Sequence, residues 1–379
     1  MSRKLKKIMI VVGEASGDLH GARLVRSLYH LDPDLEIFGV AGEGLKREGI
    51  KVTLDMGDLT GMGLTELVGN LKTLWRAYRQ LQRTLREERP DLLILIDFPE
   101  FNLRLARLAK TLRVPVLYYI APQVWAWRQR RIRKIARWVD RMAVVFPFEV
   151  PLYEKEGVRV SFVGHPLLDV VRATRPREAT LMRHGLEPFR RTVALLPGSR
   201  KQEVNHHLPT MLEAVDRLSR QMDVQFILVR ASTIDRRSLE EMIAQTPAKV
   251  SISEGDTYNA LEASDLAWTA SGTATLEAAL MLRPMIIVYR LSWLTYRLAR
   301  LLVRINYIGL VNIIAGESVV PELIQADVTA ERILFESQAV LQDPGLHKGI
   351  EEKLIEVRRK LGSPGASGRV AEIALSMMN

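Results

Sequence analysis

Thr192-Val193-Ala194-Leu195-Leu196-Pro197-Gly198-Ser199-Arg200 sets a short uncharged, mostly apolar run directly against a turn-forming, basic loop, with helix signals from Gln202 onward. An apolar run of this length bounded by Pro and Gly reads as a strand buried on both faces, the kind found in parallel sheets covered by helices. Its place in the chain matters as much as its composition, because a pattern already completed once starts over here. Toward the N-terminus, Ile8 to Val12, Glu36 to Val40, Leu92 to Asp97, Val116 to Ile120 and Met142 to Phe146 have the same character, with amphipathic helical stretches between them. Toward the C-terminus the series continues through Gln225 to Val229, Val250 to Ser253, Leu266 to Thr269 and Met285 to Tyr289. The fold class expected is α/β: two doubly wound units in tandem.

Between the two series, Val163-Gly164-His165-Pro166-Leu167 and the polar Arg172-Ala173-Thr174-Arg175-Pro176-Arg177 replace periodic apolar residues, which puts the boundary near 166 to 176. The expected domains are 1–170 and 171–345, followed by C-terminal helices in 346–379 that are free to pack back on the first domain. No strand is expected after Asn306. Thr329 to Asn379 reads as helices broken at Asp343-Pro344-Gly345 and Gly362-Ser363-Pro364-Gly365. No fixed-period repeat or low-complexity tract is evident.

A composition of 47% hydrophobic and 26% charged residues over 379 positions suffices to bury two cores, which argues against disorder. The chain has no cysteine, so disulfides and thiolate zinc sites are excluded and the reducing cytoplasm is the expected compartment. The basic start resembles a signal peptide, but its apolar stretch is only Ile8 to Val12 and reads as a first strand. Nowhere do 18 uncharged apolar residues run together, so membrane contact would be peripheral.

In open parallel sheets ligands bind beyond the carboxyl ends of strands, which directs attention to four loops. Ser271-Gly272-Thr273, between a strand and a helix, offers free amides and a helix dipole to a phosphate, and Glu277 one turn later suits ribose hydroxyls. The plain alternative is that Ser271 or Thr273 caps the helix and Glu277 lies on a solvated face. Gly198-Ser199-Arg200 lets backbone approach an anion and supplies a planar fork for phosphate oxygens; alone it is equally a turn with a surface arginine.

Gly13-Glu14-Ala15-Ser16-Gly17-Asp18-Leu19-His20 lacks the spacing of a dinucleotide fingerprint, and no acidic residue ends the second strand. No cofactor is expected, although a small-anion or sugar site is allowed. Ser16 and His20 share a helix face, but the serine-nucleophile elbow is missing and His20 also reads as an ordinary helix-facing histidine. Asp97 ends a wholly apolar strand, where burial raises a carboxylate's proton affinity toward that of a general base; the alternative is a turn cap. Asp32-Pro33-Asp34 sits at the wrong end of the sheet for a metal, and His206-His207 diverge on a helix. No metal site is expected.

The basic excess of the chain, 54 Lys and Arg against 44 Asp and Glu, has an address. Residues 104–141 hold eleven Lys and Arg and one acid, Asp140, with Tyr118, Tyr119, Trp125, Trp127 and Trp138 among them. Leu67, Leu71, Leu74, Tyr78, Leu81 and Leu85 follow helical spacing on one face and suit a core; Trp293 to Arg304 mixes aromatics, aliphatics and arginines without acids. Such segments lie on anionic bilayers, and no RNA-binding module is present, so a membrane surface is expected rather than nucleic acid.

Taken together these motifs resemble the lipid-A-disaccharide synthases, inverting glycosyltransferases of the GT-B fold, which implies two tandem Rossmann-like, doubly wound domains facing across a cleft. The resemblance runs through Gly13 to Asp18, Asp97, Pro122-Gln123-Val124-Trp125-Ala126-Trp127, Phe146-Pro147-Phe148-Glu149, Phe162 to Leu167, Leu196 to Arg200, Ser271 to Glu277 and Pro321-Glu322-Leu323. It implies metal-independent transfer of 2,3-diacylglucosamine from its UDP derivative to 2,3-diacylglucosamine 1-phosphate, forming a β-1',6 bond. It further implies Asp97 as the base, Gly198, Ser199, Arg200, Ser271, Gly272, Thr273, Glu277 and Asn312 around UDP, and Ser16, Gly17 and His20 on the acceptor side. Peripheral attachment to the inner face of the cytoplasmic membrane follows from acylated substrates, and a homodimer is compatible with the family. The chain departs from the family's pattern at Val311, where proline is expected, and at Glu317, where a basic residue is commoner. Two rivals stand beside this reading: a nucleotide-sugar epimerase of similar fold and a basic RNA-binding protein.

Overall fold

The computed structural model describes residues 5–57, 71–121, 131–292, 296–297 and 306–378. The chain divides into two compact units, one of residues 1–169 and 361–379 and one of residues 170–360.

The first unit is built on a parallel sheet of seven strands in the order β3-β2-β1-β4-β5-β6-β7. They are β1 Lys7–Val12, β2 Glu36–Ala41, β3 Lys51–Asp55, β4 Leu92–Ile96, β5 Val116–Tyr119, β6 Arg141–Val144 and β7 Arg159–Phe162. The central strands are uninterrupted apolar runs because helices cover both faces: Ile8 to Val12 in β1 and Leu92 to Ile96 in β4 are wholly buried. The helix Ala15–Leu31 buries Leu24, Val25 and Leu28 and packs against the last helix, Ala366–Met377, which belongs to this unit.

The second unit has a parallel sheet of six strands in the order β10-β9-β8-β11-β12-β13. These are β8 Arg191–Leu196, β9 Val224–Arg230, β10 Val250–Glu254, β11 Leu266–Ala270, β12 Met285–Tyr289 and β13 Glu322–Ile324. Trp268 of β11 is fully buried, and its indole N–H donates to Ser337 Oγ at 2.9 Å on the helix Ala330–Gln342, fixing the strand that carries Ser271. The helix Pro344–Lys360 counts with this unit.

The ten strands expected from apolar runs are present. Three others, β3, β7 and β13, are edge strands whose charged or half-exposed residues give no buried-strand signal. The expectation that strands stop after Asn306 is corrected by β13, three residues pairing with β12.

Candidate functional site

In each sheet the chain order reverses between two neighbouring strands, leaving a crevice beyond their carboxyl ends. In the first unit these strands are β1 and β4, paired from Ile8 opposite Leu92 to Val12 opposite Ile96, so Gly13 and Asp97 follow side by side. In the second they are β8 and β11, with Leu196 opposite Thr269, so the loops starting at Pro197 and Ser271 share one crevice. Both pairs of loops were singled out from the sequence; the sheet order brings the members of each pair together.

Asp97 leaves β4 in the left-handed region, φ 49°, and Phe98 follows at φ 49°. Each such residue costs about 1–3 kcal/mol unless its surroundings hold it. Here the Asp97 carbonyl accepts from Asn102 Nδ2 at 2.7 Å and from the Tyr118 hydroxyl, while its N–H reaches Tyr119 O at 3.4 Å. This bend takes the carboxylate out of the strand and leaves it half-buried. Burial lifts its pKa from the ordinary 3.8 to about 6, the Glu14 charge adds to the rise, and the Phe98 amide opposes it. A carboxylate so poised is ionised at neutral pH yet basic enough to accept a proton in a transition state.

Ser16 is exposed, Gly17 is buried and His20 is half-buried on the helix Ala15–Leu31. A β-carbon on Gly17 would make only ordinary contacts, the nearest 3.7 Å away, so close packing does not demand glycine there. Burial first, then the Arg23 charge, bring His20 down to about 4. His165 is held lower, about 3, by burial and by the neighbouring His20, and its Nδ1 accepts from Leu167 N at 3.2 Å. Two neutral imidazoles therefore adjoin at neutral pH. The Asp18 carboxylate accepts from the amides of Gly42, Gly44 and Leu45 at 2.7–3.2 Å, which ties the helix to the loop after β2. An acid on the apolar stripe of a helix was the signal for this role.

In the second unit Gly272 is the residue before the helix Thr273–Leu280, at φ 146°, and no side chain caps it. The Ser271 hydroxyl donates instead to Ile308 O at 3.2 Å, and a β-carbon on Gly272 would meet nothing within 4 Å. Capping by Ser271 or Thr273 is thus not how this helix begins, and its first amides remain open to an anion. Glu277 accepts from the Tyr258 hydroxyl at 3.1 Å, and burial raises its pKa against that hydrogen bond.

The Gly198–Arg200 loop differs from expectation. Its Ser199 and Arg200 amides donate to Glu203 Oε2 at 3.0 and 3.2 Å, so a carboxylate of the chain already occupies the place foreseen for phosphate oxygens. Gly198, at φ 126°, has Glu203 Cβ 2.6 Å from where its own β-carbon would be. The loop's cation is the Arg200 guanidinium, 70% exposed and with Nη1 3.7 Å from Glu203 Oε1. His207 holds the loop from beneath: its buried ring donates from Nδ1 to Pro197 O at 2.9 Å and accepts the Arg290 N–H at Nε2, 3.0 Å away. Its sequence reading as a poor metal ligand missed this bridge between β8 and β12.

Asn312 is fully buried and internally satisfied. Its Nδ2 donates to Val320 O and Glu322 Oε1, both at 2.9 Å, and its Oδ1 accepts from Val319 N and Val320 N. Asn312, expected beside the nucleotide, is thus bonded within its own chain and is joined to Glu322, which also accepts the Ile308 and Gly309 amides beside Ser271.

Asp34 N–H turns back on Asp32 Oδ1 ahead of β2, at the amino end of the sheet. Leu81 and Leu85 of the helix Leu71–Glu88 are fully buried, as expected of a core stripe, whereas Trp75 is 54% exposed. Leu67, the Pro122 to Trp127 motif, Arg128, Arg130 and Trp293 to Arg304 other than Tyr296 and Arg297 lie outside the described residues. Among the described residues no helix is long and apolar enough to cross a membrane.

A sequence profile described as lipid-A-disaccharide synthetase matches residues 8–373. A lipid-A-disaccharide synthase of Syntrophus aciditrophicus is 48% identical over 375 residues, covering 98% of each chain. Among solved structures, the glycotransferase of kitacinnamycin superposes with a TM-score of 0.67 at 17% identity, covering all of both chains. A UDP-GlcNAc 2-epimerase of Neisseria meningitidis, solved with UDP-GlcNAc bound, superposes with a TM-score of 0.63 at 11% identity, covering 98% of this chain and 99% of its own. At such identities both share the fold alone.

Proposed function

The chain belongs to the lipid-A-disaccharide synthase family and is a glycosyltransferase of lipid A disaccharide synthesis, and we propose that its two crevices divide the reaction between acceptor and donor. The donor is UDP-2,3-diacylglucosamine and the acceptor 2,3-diacylglucosamine 1-phosphate. The epimerase rival rests on a distant likeness of fold.

One observation carries the assignment: each sheet reverses its order at the very loops that hold the chemistry-bearing residues. Asp97 takes the proton of the acceptor 6-hydroxyl as that oxygen bonds to the donor's anomeric carbon. The bond from that carbon to the diphosphate breaks with inversion, and UDP leaves. Arg200 and the open amides of the helix Thr273–Leu280 stabilise the charge gathering on the leaving diphosphate. Glu277 accepts from the ribose hydroxyls, and Ser16, Gly17 and His20 border the acceptor. Supporting Asp97 as base are its burial, its pKa of about 6 and a strained backbone held by Asn102 and Tyr118.

Both substrates carry acyl chains, so the protein works as a peripheral protein on the cytoplasmic face of the membrane, its basic aromatic segments meeting anionic lipid. Incubation with both substrates in the presence of a chelator, followed by product analysis, tests the reaction. Disaccharide and UDP in equal amounts are expected; UDP-sugar epimerisation without disaccharide would refute it. Co-sedimentation with anionic vesicles tests the location.

A further inference from the structure

Two hollows adjoin on the helix Pro99–Thr111, which begins two residues beyond Asp97. One, of about 550 Å³, is walled by Leu74, Trp75, Tyr78, Phe98 and Phe101. Its aromatic wall is continuous, with Phe98 and Phe101 centroids 5.3 Å apart and Tyr78 edge-on to Phe101 at 5.7 Å. The other, of about 400 Å³, is lined by Arg104, Arg107, Arg131 and Lys134, and the two share Tyr78, Glu100 and Arg104. Glu100 is the acid of the pair and is bound by Arg131. Arg104, Arg107 and Lys134 are exposed and have no acidic partner among the described residues.

An apolar hollow open to water and a set of unmatched cations beside it fit one kind of molecule, an amphiphile with a hydrocarbon chain next to an anionic group. The residue joining the apolar wall to the catalytic bend is Phe98 itself. We propose that these hollows are subsites for the acceptor: the apolar one takes an acyl chain, and Arg104, Arg107 and Lys134 take the phosphate of the same molecule. Guanidinium forks and an ammonium suit a phosphate monoester, and the chain anchored beside Phe98 would bring the sugar toward Asp97. This rests on the acceptor assignment above and adds to it which residues select a phosphorylated, acylated sugar.

The test uses the full chain in neutral detergent micelles, with diacylglucosamine 1-phosphate or the same lipid lacking the phosphate as acceptor. Wild type should have a lower KM for the phosphorylated acceptor, and Arg107→Gln/Lys134→Gln should raise that KM about ten-fold or more while leaving the dephosphorylated acceptor and the donor KM unaltered. Trp75→Ser, at an exposed site, should raise KM for the diacyl acceptor but not for a deacylated one. Equal KM ratios in wild type and double variant would overturn the proposal. So would a defect that appears only in micelles containing anionic lipid and is the same for both acceptors, which would leave these three cations to the membrane alone. Equilibrium binding of labelled acceptor reads the subsites without turnover. Wild-type binding that the double variant loses, with no disaccharide formed, would uphold the subsites and refute the reaction instead.

Discussion

A β-carbon on Gly13 would stand 2.1 Å from Cγ of Phe98, so the loop after β1 and the bend after β4 are packed in direct contact at the crevice. The contact makes the Asp97 bend dependent on a residue far away in sequence. Gly13→Ala should displace the Phe98 ring, destabilise the first unit by about 1–3 kcal/mol and lower turnover. Gly13→Ala/Phe98→Ala should recover part of the stability, because the clash is removed at the expense of a smaller cavity. Urea unfolding of the single and double variants reads both effects, and additivity would rule out the contact.

The acid limb of kcat/KM should follow Asp97. A base works only when deprotonated, so activity should rise with pH through about 6. Glu14→Gln removes a negative neighbour that raises the Asp97 pKa, so the limb should move to lower pH. A limb unmoved, or moved upward, would detach it from Asp97.

Arg200→Ala should weaken UDP binding by about ten-fold, the order of a charge-assisted contact to phosphate. Ser199→Ala should change it little, because it removes only a hydroxyl and keeps the amide that Glu203 already holds. Titration calorimetry separates the two; equal losses would bring the Ser199 hydroxyl to the diphosphate as well.

Asn312→Ala should destabilise the second unit by about 2–4 kcal/mol, since the buried Val320 amide would lose its acceptor and the Val319 amide would keep only Glu317 O. UDP affinity should fall along with it as the loop beside Ser271 loosens. A variant as stable as wild type but weak for UDP would restore Asn312 as a direct ligand.

The histidines predict how stability depends on pH. His20 and His165 are brought down to about 4 and about 3 in the folded chain, from 6.5 when solvated. Below 6.5 the unfolded state gains protons that the folded state refuses, so their contribution is complete above 6.5 and declines as pH falls toward 4 and 3. The urea midpoint should drop between pH 7 and pH 5, and by less in His20→Asn/His165→Asn. An undiminished drop would place its origin elsewhere.

Legibility in the sequence followed physical cause. Central strands such as Leu92–Ile96 announce themselves because burial on both faces demands an unbroken apolar run. The edge strand Glu322–Ile324 does not, since one buried residue between two half-buried ones carries no period. At the site, Asp97 and Ser271 to Thr273 were visible as polar residues ending apolar strands. Which polar group serves another side chain was not. His207 bridging Pro197 and Arg290 depends on segments that only the folded chain brings together, whereas Glu203 filling the Gly198–Arg200 loop and Asn312 turned onto Val319 and Val320 are local contacts set by the bend of each loop.

The central claim, that Asp97 is the base in disaccharide formation, is tested most directly by comparing wild type with Asp97→Asn at saturating donor and acceptor while measuring UDP affinity on the same preparations. The account predicts a loss of turnover of about 10² or more with UDP affinity unaltered. Turnover in Asp97→Asn at the wild-type rate would contradict it.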